Sequence, residues 1–254
     1  MEITESGPRY DRAFMVVGAD GEFRTQRQRG FERLALVRPS LDLRAQVMTL
    51  SAEGFDDISI PLDPKVYGRV VTTNVWGDPA YGVLNVPASE WMSDFIGEDL
   101  GVIKTIGHRV FDRPQVPAGT KGSFADGSHL LGISSATLAE LNASLAEPVG
   151  MDRFRPNLVF DGNSREENDW RVVKFGDVEA LGVKPCERCS IVNVRQETGE
   201  RTREVLAVLA RNFRGAKGKP LFGENFIVRG SGVITIGDGV EVLERSEGGF
   251  GREY

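Results

Sequence analysis

The chain has 254 residues, enough for one large hydrophobic core or two modest ones. Hydrophobic residues make up 40% and charged residues 27%, as in ordinary soluble proteins, while 30 glycines and 12 prolines favour short strands joined by many turns. The net charge of −6 disfavours general nucleic-acid binding, because an acidic surface repels a phosphate backbone. No apolar run suits a membrane span or a secretory signal, so we expect a cytoplasmic protein without a membrane or nucleic-acid partner.

Short apolar runs separated by turn residues fill much of the first hundred residues. Residues 14–17 are apolar, a Gly- and Asp-containing turn follows, and residues 22–26 alternate in character, which predicts a β-hairpin. Further strands are expected at 34–37, 47–50 and 58–60. This rhythm predicts a β-barrel or curled sheet in an N-terminal domain that we place at residues 1–105.

Three segments have helical patterns. Residues 89–96 carry apolar side chains at helical spacing behind a serine cap, and Gly97 can end that helix. Residues 135–145 repeat leucines on one face, which predicts a helix packed on a sheet, with Ser135 as its cap. Residues 202–213 predict another helix.

Strand patterns return after the second predicted helix. They are expected at 158–160, 171–175, 191–194, 226–228 and 233–236. The segment 106–123 is rich in Gly, Pro and charged residues, so it is predicted to connect the two halves of the chain. We place the second domain at residues 106–245, beginning with this segment. Residues 246–254 have too few apolar side chains to become ordered and predict a disordered tail. The expected fold class is mainly β with a few helices (α+β).

The two cysteines lie three residues apart, at Cys186 and Cys189. Lys184 and Arg188 beside them would stabilise a thiolate, the form of cysteine that binds soft metals or acts as a nucleophile. A strand is expected to follow Cys189. Because residues three apart on an extended chain face opposite ways, one sulfur is expected to be a ligand and the other to be packed.

Other interpretations of the cysteine pair stay open at this point. The pair could be half of a zinc site, although the two histidines, His108 and His129, lie far upstream. A thioredoxin-type redox pair would require a βαβ setting, whereas this neighbourhood predicts strands. Two buried cysteines without chemistry would also fit. The cysteine spacing does not match attached haem or an iron–sulfur cluster.

Residues 152–158 bring two arginines before a predicted strand. Arg153 and Arg155 alternate with Phe154, so we expect both guanidinium groups on one side, where they could bind a phosphate with Asn157 as a neutral donor. A solvated entrance to a strand would have the same pattern.

Two further segments offer anion-binding groups. Arg12 follows Asp11 and could bind an anion or form a surface ion pair. Ser134 and Ser135 stand at the start of a predicted helix, where hydroxyls and free backbone N–H groups can bind an anion or simply cap the helix. His129 is isolated and is better explained as a packed or surface residue than as a catalytic base.

Taken in chain order, these segments resemble the MOSC family, named for the C-terminal domain of molybdenum cofactor sulfurases. The motifs at 10–17, 20–21 and 25–27 look like the family's N-terminal β-barrel domain. Those at 124–127, 130–131, 133–134, 138, 141–142, 153–157, 169–170, 184–189, 222–223 and 237–238 look like the MOSC domain. The resemblance implies an N-terminal β-barrel domain packed on a MOSC β-barrel.

The resemblance also implies roles for individual residues. Cys189 matches the cysteine that ligates molybdenum in the amidoxime-reducing members and would be both metal ligand and catalytic residue. Arg12, Arg155 and Asn157 match residues that bind the phosphate of the pterin cofactor. Around them, the residues themselves suggest five more cofactor contacts: Ser134, Ser135, Arg153, Lys184 and Arg188.

One family motif has no counterpart here. Members usually open with a strand that carries a Pro-Val-Lys-Ser-like motif, and no such motif precedes Gly7 in this sequence. We therefore expect either that the sequence begins after the true start or that the N-terminal domain lacks its first strand and has a weakened cofactor site.

The family resemblance implies a molybdenum-cofactor-binding oxidoreductase that reduces N-hydroxylated small molecules. A separate electron-donor protein would be needed, because the sequence has no set of cysteines for an iron–sulfur cluster. The alternatives are a carrier of the cofactor or of sulfur without its own turnover, and a member with only a structural role. Pyridoxal phosphate is not expected, since no lysine has a recognisable Schiff-base setting.

Overall fold

The computed structural model describes residues 1–63 and 68–246, and the chain divides into two compact units. Unit 1 contains Met1–Asp11, Val110–Asn193 and Thr202–Tyr254, and unit 2 contains Arg12–Arg109 and Val194–Arg201. The predicted boundary after residue 105 falls near the end of the long segment of unit 2. Most of the predicted tail, residues 247–254, lies outside the described residues.

Strands make up 40% of the structure and helices 18%, which confirms the prediction of a mainly β fold with a few helices. In chain order the strands are β1 (Glu2–Thr4), β2 (Gly7–Pro8), β3 (Phe14–Gly18), β4 (Arg38–Asp42), β5 (Val47–Ala52), β6 (Phe55–Pro61), β7 (Val70–Val75), β8 (Asp78–Asn85), β9 (Leu100–Thr105), β10 (Arg109–Val110), β11 (Lys121–Gly122), β12 (Leu130–Ser134), β13 (Leu158–Phe160), β14 (Trp170–Phe175), β15 (Val178–Glu187), β16 (Leu221–Arg229), β17 (Gly232–Val233) and β18 (Val240–Arg245). The α-helices are α1 (Val86–Ile96), α2 (Ser135–Asn142) and α3 (Glu204–Asn212), and short 3-10 helices form at Glu32–Leu36, Met151–Arg153, Glu166–Asp169 and Ser190–Asn193.

Unit 2 is built from two curled antiparallel sheets. One has the strand order β3-β9-β8-β7 and the other the order β4-β5-β6. Alternate residues of β5 face the core, where Met48, Leu50 and Ala52 are buried. This period of two matches a half-buried strand, so the predicted strands at 47–50 and 58–60 are confirmed.

One predicted strand of unit 2 is wrong, and another is confirmed only in part. Residues 34–37 contribute to a 3-10 helix, because a short apolar run without clear alternation does not distinguish a strand from a helical turn. Residues 22–26 do not form a continuous strand, but the predicted hairpin pairing is present: Phe23 forms an antiparallel bridge with Val17, and the Arg24 N–H donates to the Val16 carbonyl at 2.8 Å. The helix α1 begins at Val86, capped by the Asn85 side chain rather than by a serine, and ends at Gly97 in a left-handed conformation, φ 87°, as predicted.

Unit 1 is organised around a six-stranded sheet with the order β13-β12-β16-β15-β14-β18. β12 and β13 run parallel, and the other neighbouring strands pair antiparallel. One core cluster is aromatic and contains Phe160, Trp170, Phe175 and Phe226. A second, here called the α2–α3 core, packs side chains of α2 and α3 with Ile133, Phe154 and Phe222. β12 and all but the last residue of β16 are therefore buried.

The predicted helix at 135–145 packs as expected but is shorter. It ends at Asn142, while Leu138, Leu141 and Leu145 all contact the α2–α3 core. The predicted strand at 191–194 is wrong, because Ser190–Asn193 forms a 3-10 helix with Val192 buried in the same core. The structure also has a strand at Val240–Arg245, beside β14, in a region where none was predicted.

Candidate functional site

Neighbouring strands of unit 1 place four separate sequence segments in one row. Lys184 of β15 pairs with Asn225 of β16, which pairs with Leu131 of β12. The Leu131 N–H donates to Asn157 Oδ1 at 2.9 Å, and the Asn157 N–H donates to the Leu131 carbonyl at 2.8 Å. The row thus joins the cysteine segment to the arginine segment across the sheet. The described residues around this row are here called the sheet-end site.

The cysteine segment forms the end of β15. Register shifts interrupt the β15–β16 pairing between Gly182 and Lys184 and between Pro185 and Glu187, and such bulges redirect side chains. Cys189 comes after the strand and is followed by a 3-10 helix rather than by the expected strand. The chain leaves the sheet after Glu187, so Cys189 lies between β15 and this 3-10 helix.

The two sulfur atoms have different surroundings. Cys186 is partly buried against the α2–α3 core, which is the packed role that we expected for one cysteine. Cys189 is half-buried, and within the described part of the chain its sulfur has no hydrogen bond. Its role as a metal ligand stays a prediction. Among the described residues, no three His, Cys, Asp or Glu side chains are grouped as metal ligands.

Arg188 is directed into the protein rather than toward a ligand. Its Nη1 lies 3.1 Å from Cys186 Sγ, and its Nη2 donates to the Phe154 carbonyl at 2.7 Å. Its backbone N–H donates to the Pro220 carbonyl at 2.8 Å. These contacts disfavour the predicted contact between Arg188 and a cofactor.

The two arginines of the 153–157 segment have opposite environments. Arg153 is 4% exposed and donates to the Val192 carbonyl at 3.0 Å. Arg155 is exposed and has a left-handed backbone, φ 54°. The expectation that both side chains share one side is wrong, because the segment leaves a 3-10 helix and turns instead of running as a strand. Of the two side chains, that of Arg155 is the one exposed to solvent.

Asn157 is a bridging residue within unit 1. Its Oδ1 accepts the Leu131 N–H, and its Nδ2 donates to Asp11 Oδ2 at 3.2 Å. The Asp11 carbonyl in turn accepts the Ser123 hydroxyl at 2.9 Å. Arg12 is the first residue of unit 2 and has a left-handed backbone, φ 47°. Residues other than glycine rarely adopt this backbone conformation, and those that do are concentrated at functional sites.

The start of α2 is already occupied by a protein carboxylate. Ser134 is fully buried, and its hydroxyl accepts the Ala136 N–H, so it caps the helix. The Ser135 hydroxyl donates to Asp161 at 2.9 Å. Glu167 accepts the Ser134 N–H at 3.5 Å and the Thr137 hydroxyl at 3.1 Å. The Glu167 carboxyl group thus occupies the predicted anion-binding site at the start of α2. This disfavours the predicted cofactor contacts of Ser134 and Ser135.

Glu167 belongs to a buried polar network that sequence reasoning missed. Burial raises the pKa of Glu167 to about 7. The next residue, Asn168, donates through Nδ2 to the Gly223 carbonyl at 3.1 Å and to Glu224 at 2.9 Å. In the sequence, Glu167 stands in an acidic run that looks like a solvated surface, so no sequence signal marked it as buried.

Asn225 was also missed, although it lies in the row. It is 9% exposed, accepts the Ser128 hydroxyl at 2.9 Å and donates to the Lys184 carbonyl at 3.3 Å. Gly223 beside it has φ 81°, and a Cβ there would lie 2.8 Å from the Gly132 carbonyl oxygen. The close approach of β12 therefore requires glycine at this position.

His129 is a packed residue, as the sequence suggested. It is 3% exposed, its Nδ1 accepts the Val228 N–H at 3.2 Å, and its Nε2 lies 2.6 Å from the Lys121 carbonyl. Nε2 must therefore carry the proton and donate. Burial lowers the pKa of His129, so the ring is neutral and holds backbone groups in place.

Comparison with known proteins gives matches along most of the chain. A family model described as MOSC domain matches residues 119–241, and one described as MOSC N-terminal beta barrel domain matches residues 1–99. The protein named mitochondrial amidoxime-reducing component 1 from Mus musculus is 30% identical, covering 95% of this chain and 76% of that protein. Its Homo sapiens counterpart is also 30% identical, covering 94% and 74%. The molybdenum cofactor sulfurase of Oryza sativa subsp. japonica is 28% identical, and 29% of its length is covered.

Proposed function

Because the chain belongs to the MOSC family, confirming the resemblance drawn from its motifs, we propose that it binds the molybdenum cofactor through Cys189 and reduces N-hydroxylated small molecules. The observation that carries the proposal is the half-buried sulfur of Cys189, two residues beyond the end of β15, which has no hydrogen bond in the described part of the chain. Cys186 is also half-buried, but its sulfur packs against the α2–α3 core and lies 3.1 Å from Arg188 Nη1.

The residues at the sheet-end site fit this cofactor. A thiolate is a soft ligand suited to a sulfur-rich metal centre. Arg155 is exposed and can face a phosphate with two parallel hydrogen bonds. Lys184, half-buried in the same row, adds positive charge. Asn157 would act by fixing Asp11 and Leu131, since its amide groups already have protein partners.

When bound, the cofactor supplies a two-electron redox centre for removing oxygen from nitrogen. Reduction of an N–OH group to N–H releases water and consumes two electrons and two protons. The chain has two cysteines and so no set of four for an iron–sulfur cluster, and we therefore propose a separate electron-donor protein. The amidoxime-reducing relatives carry a name that describes this class of reaction.

A second function is favoured by the sulfurase relatives. A protein that carries the cofactor or sulfur on Cys189, without turnover, would use the same available thiolate. Both functions require the cysteine, so binding alone does not separate them.

No helix in the described ranges is long and apolar enough to cross a membrane. The relatives named above as amidoxime-reducing components are mitochondrial by name, and a cytoplasmic location for this chain stays a prediction.

The test is reduction of an aromatic amidoxime by the purified full chain with a reduced viologen dye as artificial donor. We expect turnover with the wild type, none with Cys189→Ser, and turnover with Ser190→Ala, a matched change at the next position. Cofactor binding by the wild type without turnover would favour the carrier function. Turnover by Cys189→Ser would contradict the assignment of the ligand.

A further inference from the structure

Arg188 connects the two segments that the proposed function requires in fixed positions. Its guanidinium contacts Cys186 Sγ at 3.1 Å and the Phe154 carbonyl at 2.7 Å. Cys186 comes three residues before Cys189, and Phe154 directly precedes Arg155. The segment that carries the proposed metal ligand and the segment that carries the exposed arginine are thus joined through one side chain.

Both Phe154 and Arg188 have further contacts with the rest of unit 1. Phe154 is 1% exposed, and its ring centroid lies 4.2 Å from that of Phe222 in the α2–α3 core. The Arg188 guanidinium carbon lies 5.6 Å from the Phe154 ring centroid, and the Arg188 N–H donates to the Pro220 carbonyl at 2.8 Å. The arginine therefore transmits the position of a packed core residue to the cysteine segment.

The chemistry of arginine suits this role better than that of lysine. A guanidinium presents donors in a fixed planar fork and can hold two acceptors at once, whereas an ammonium is a single point of charge. The Nε of Arg188 is buried and has no hydrogen-bond partner within the described residues. A buried donor without an acceptor is unfavourable, so packing alone does not explain an arginine here.

We infer that Arg188 is a positioning residue that holds Cys189 and Arg155 at a fixed separation, without contacting the cofactor itself. The inference rests on the proposed function for the identity of the ligand. The connection between Cys186, Arg188 and Phe154 does not depend on that ligand, so the two can be tested apart.

The test compares full-length Arg188→Met and Arg188→Lys with Arg165→Met. Arg165 is a matched control in unit 1, because its guanidinium also joins separate elements, bonding to Glu140 and the Asn212 carbonyl and lying 4.0 Å from the Phe213 ring centroid. Two quantities are measured: amide hydrogen exchange in residues 152–157 and 185–193 of cofactor-free protein, and the molybdenum that remains after dialysis of loaded protein.

We expect Arg188→Met to raise exchange in both segments by roughly tenfold or more, the effect of losing a charged hydrogen bond. It should also lose most of its molybdenum, with Arg188→Lys intermediate in both measurements. Arg165→Met should leave exchange in those segments within about twofold of the wild type, because its hydrogen bonds lie elsewhere.

The inference is overturned if Arg188→Met changes only one segment, or if it retains molybdenum as well as Arg165→Met does. A wild type that binds no molybdenum would contradict the proposed function alone. The exchange measurement would then still decide whether Arg188 joins the two segments.

Discussion

The start of α2 and the end of β15 differ in how the protein satisfies their polar groups. At the start of α2, the Glu167 carboxyl group accepts hydrogen bonds from the Ser134 N–H and the Thr137 hydroxyl. Beyond the end of β15, the Cys189 sulfur has no such partner among the described residues, and Arg155, two residues before Asn157 of the row, is exposed. Both regions have residue types that bind anions or metals, but only the second has a thiol without a hydrogen bond among the described residues. A ligand site is therefore distinguished by what the protein has not already satisfied.

The largest expected effect is on the pH dependence of stability, and it concerns Glu167, whose carboxyl group lies at the start of α2. Because burial raises its pKa from 4.5 to about 7, the folded state keeps a proton that the unfolded state releases between these values. Stability from this group is therefore full below pH 4.5 and falls as the pH rises through 7, by about 3 kcal/mol in total.

Urea unfolding at several pH values checks this prediction. Glu167→Gln mimics the protonated form and should remove this pH dependence. The free energy of unfolding of the variant should therefore increase relative to that of the wild type as the pH rises. Glu187→Gln, which changes an exposed carboxylate at the end of β15, should leave the dependence in place. Parallel curves for the wild type and Glu167→Gln would show that Glu167 is not protonated in the folded state.

The next effect separates the two arginines of the sheet-end site. Arg153→Met should lower the free energy of unfolding by about 2 kcal/mol, because it leaves the buried Val192 carbonyl without this donor. Arg155→Met should change stability by only about 0.5 kcal/mol and weaken cofactor binding by roughly tenfold or more. Unfolding curves and molybdenum retention measure the two quantities. A stability loss confined to Arg155→Met would reverse the roles given to the pair.

The smallest effects are expected at the serines of α2. Ser134→Ala removes the cap and should cost about 1 kcal/mol of stability. Ser135→Ala loses one exposed hydrogen bond to Asp161 and should cost about 0.5 kcal/mol. Neither change should reduce the molybdenum content, which metal analysis of both variants checks. Loss of metal in either one would mean that the start of α2 takes part in binding after all.

Sequence patterns predicted the parts of the fold that have a clear period. Strand β5 alternates buried and half-buried residues, and the leucines of α2 repeat along one face, so both elements were recognisable. The apolar runs at 34–37 and 191–194 were not, because burial in a 3-10 helix gives the same composition as burial in a strand.

The candidate site was predictable in its chemistry and not in its geometry. The sequence identified Cys189 and Arg155 because thiolate and guanidinium groups suit a metal and a phosphate. It did not show that Arg188 turns inward. Arg155 and Arg188 are the same residue type, and only the path of the backbone makes one side chain exposed and the other bonded within the protein. Nor could it reveal Asn225, whose role depends on the strand pairing that places it between β12 and β15.

The central claim is most directly tested by the molybdenum content of full-length protein produced with added molybdate. Wild type and Ser190→Ala should each hold about one molybdenum per chain, as one thiolate ligand allows, and Cys189→Ser should hold almost none. Equal molybdenum in wild type and Cys189→Ser would contradict the claim that the sulfur at the end of β15 holds the metal.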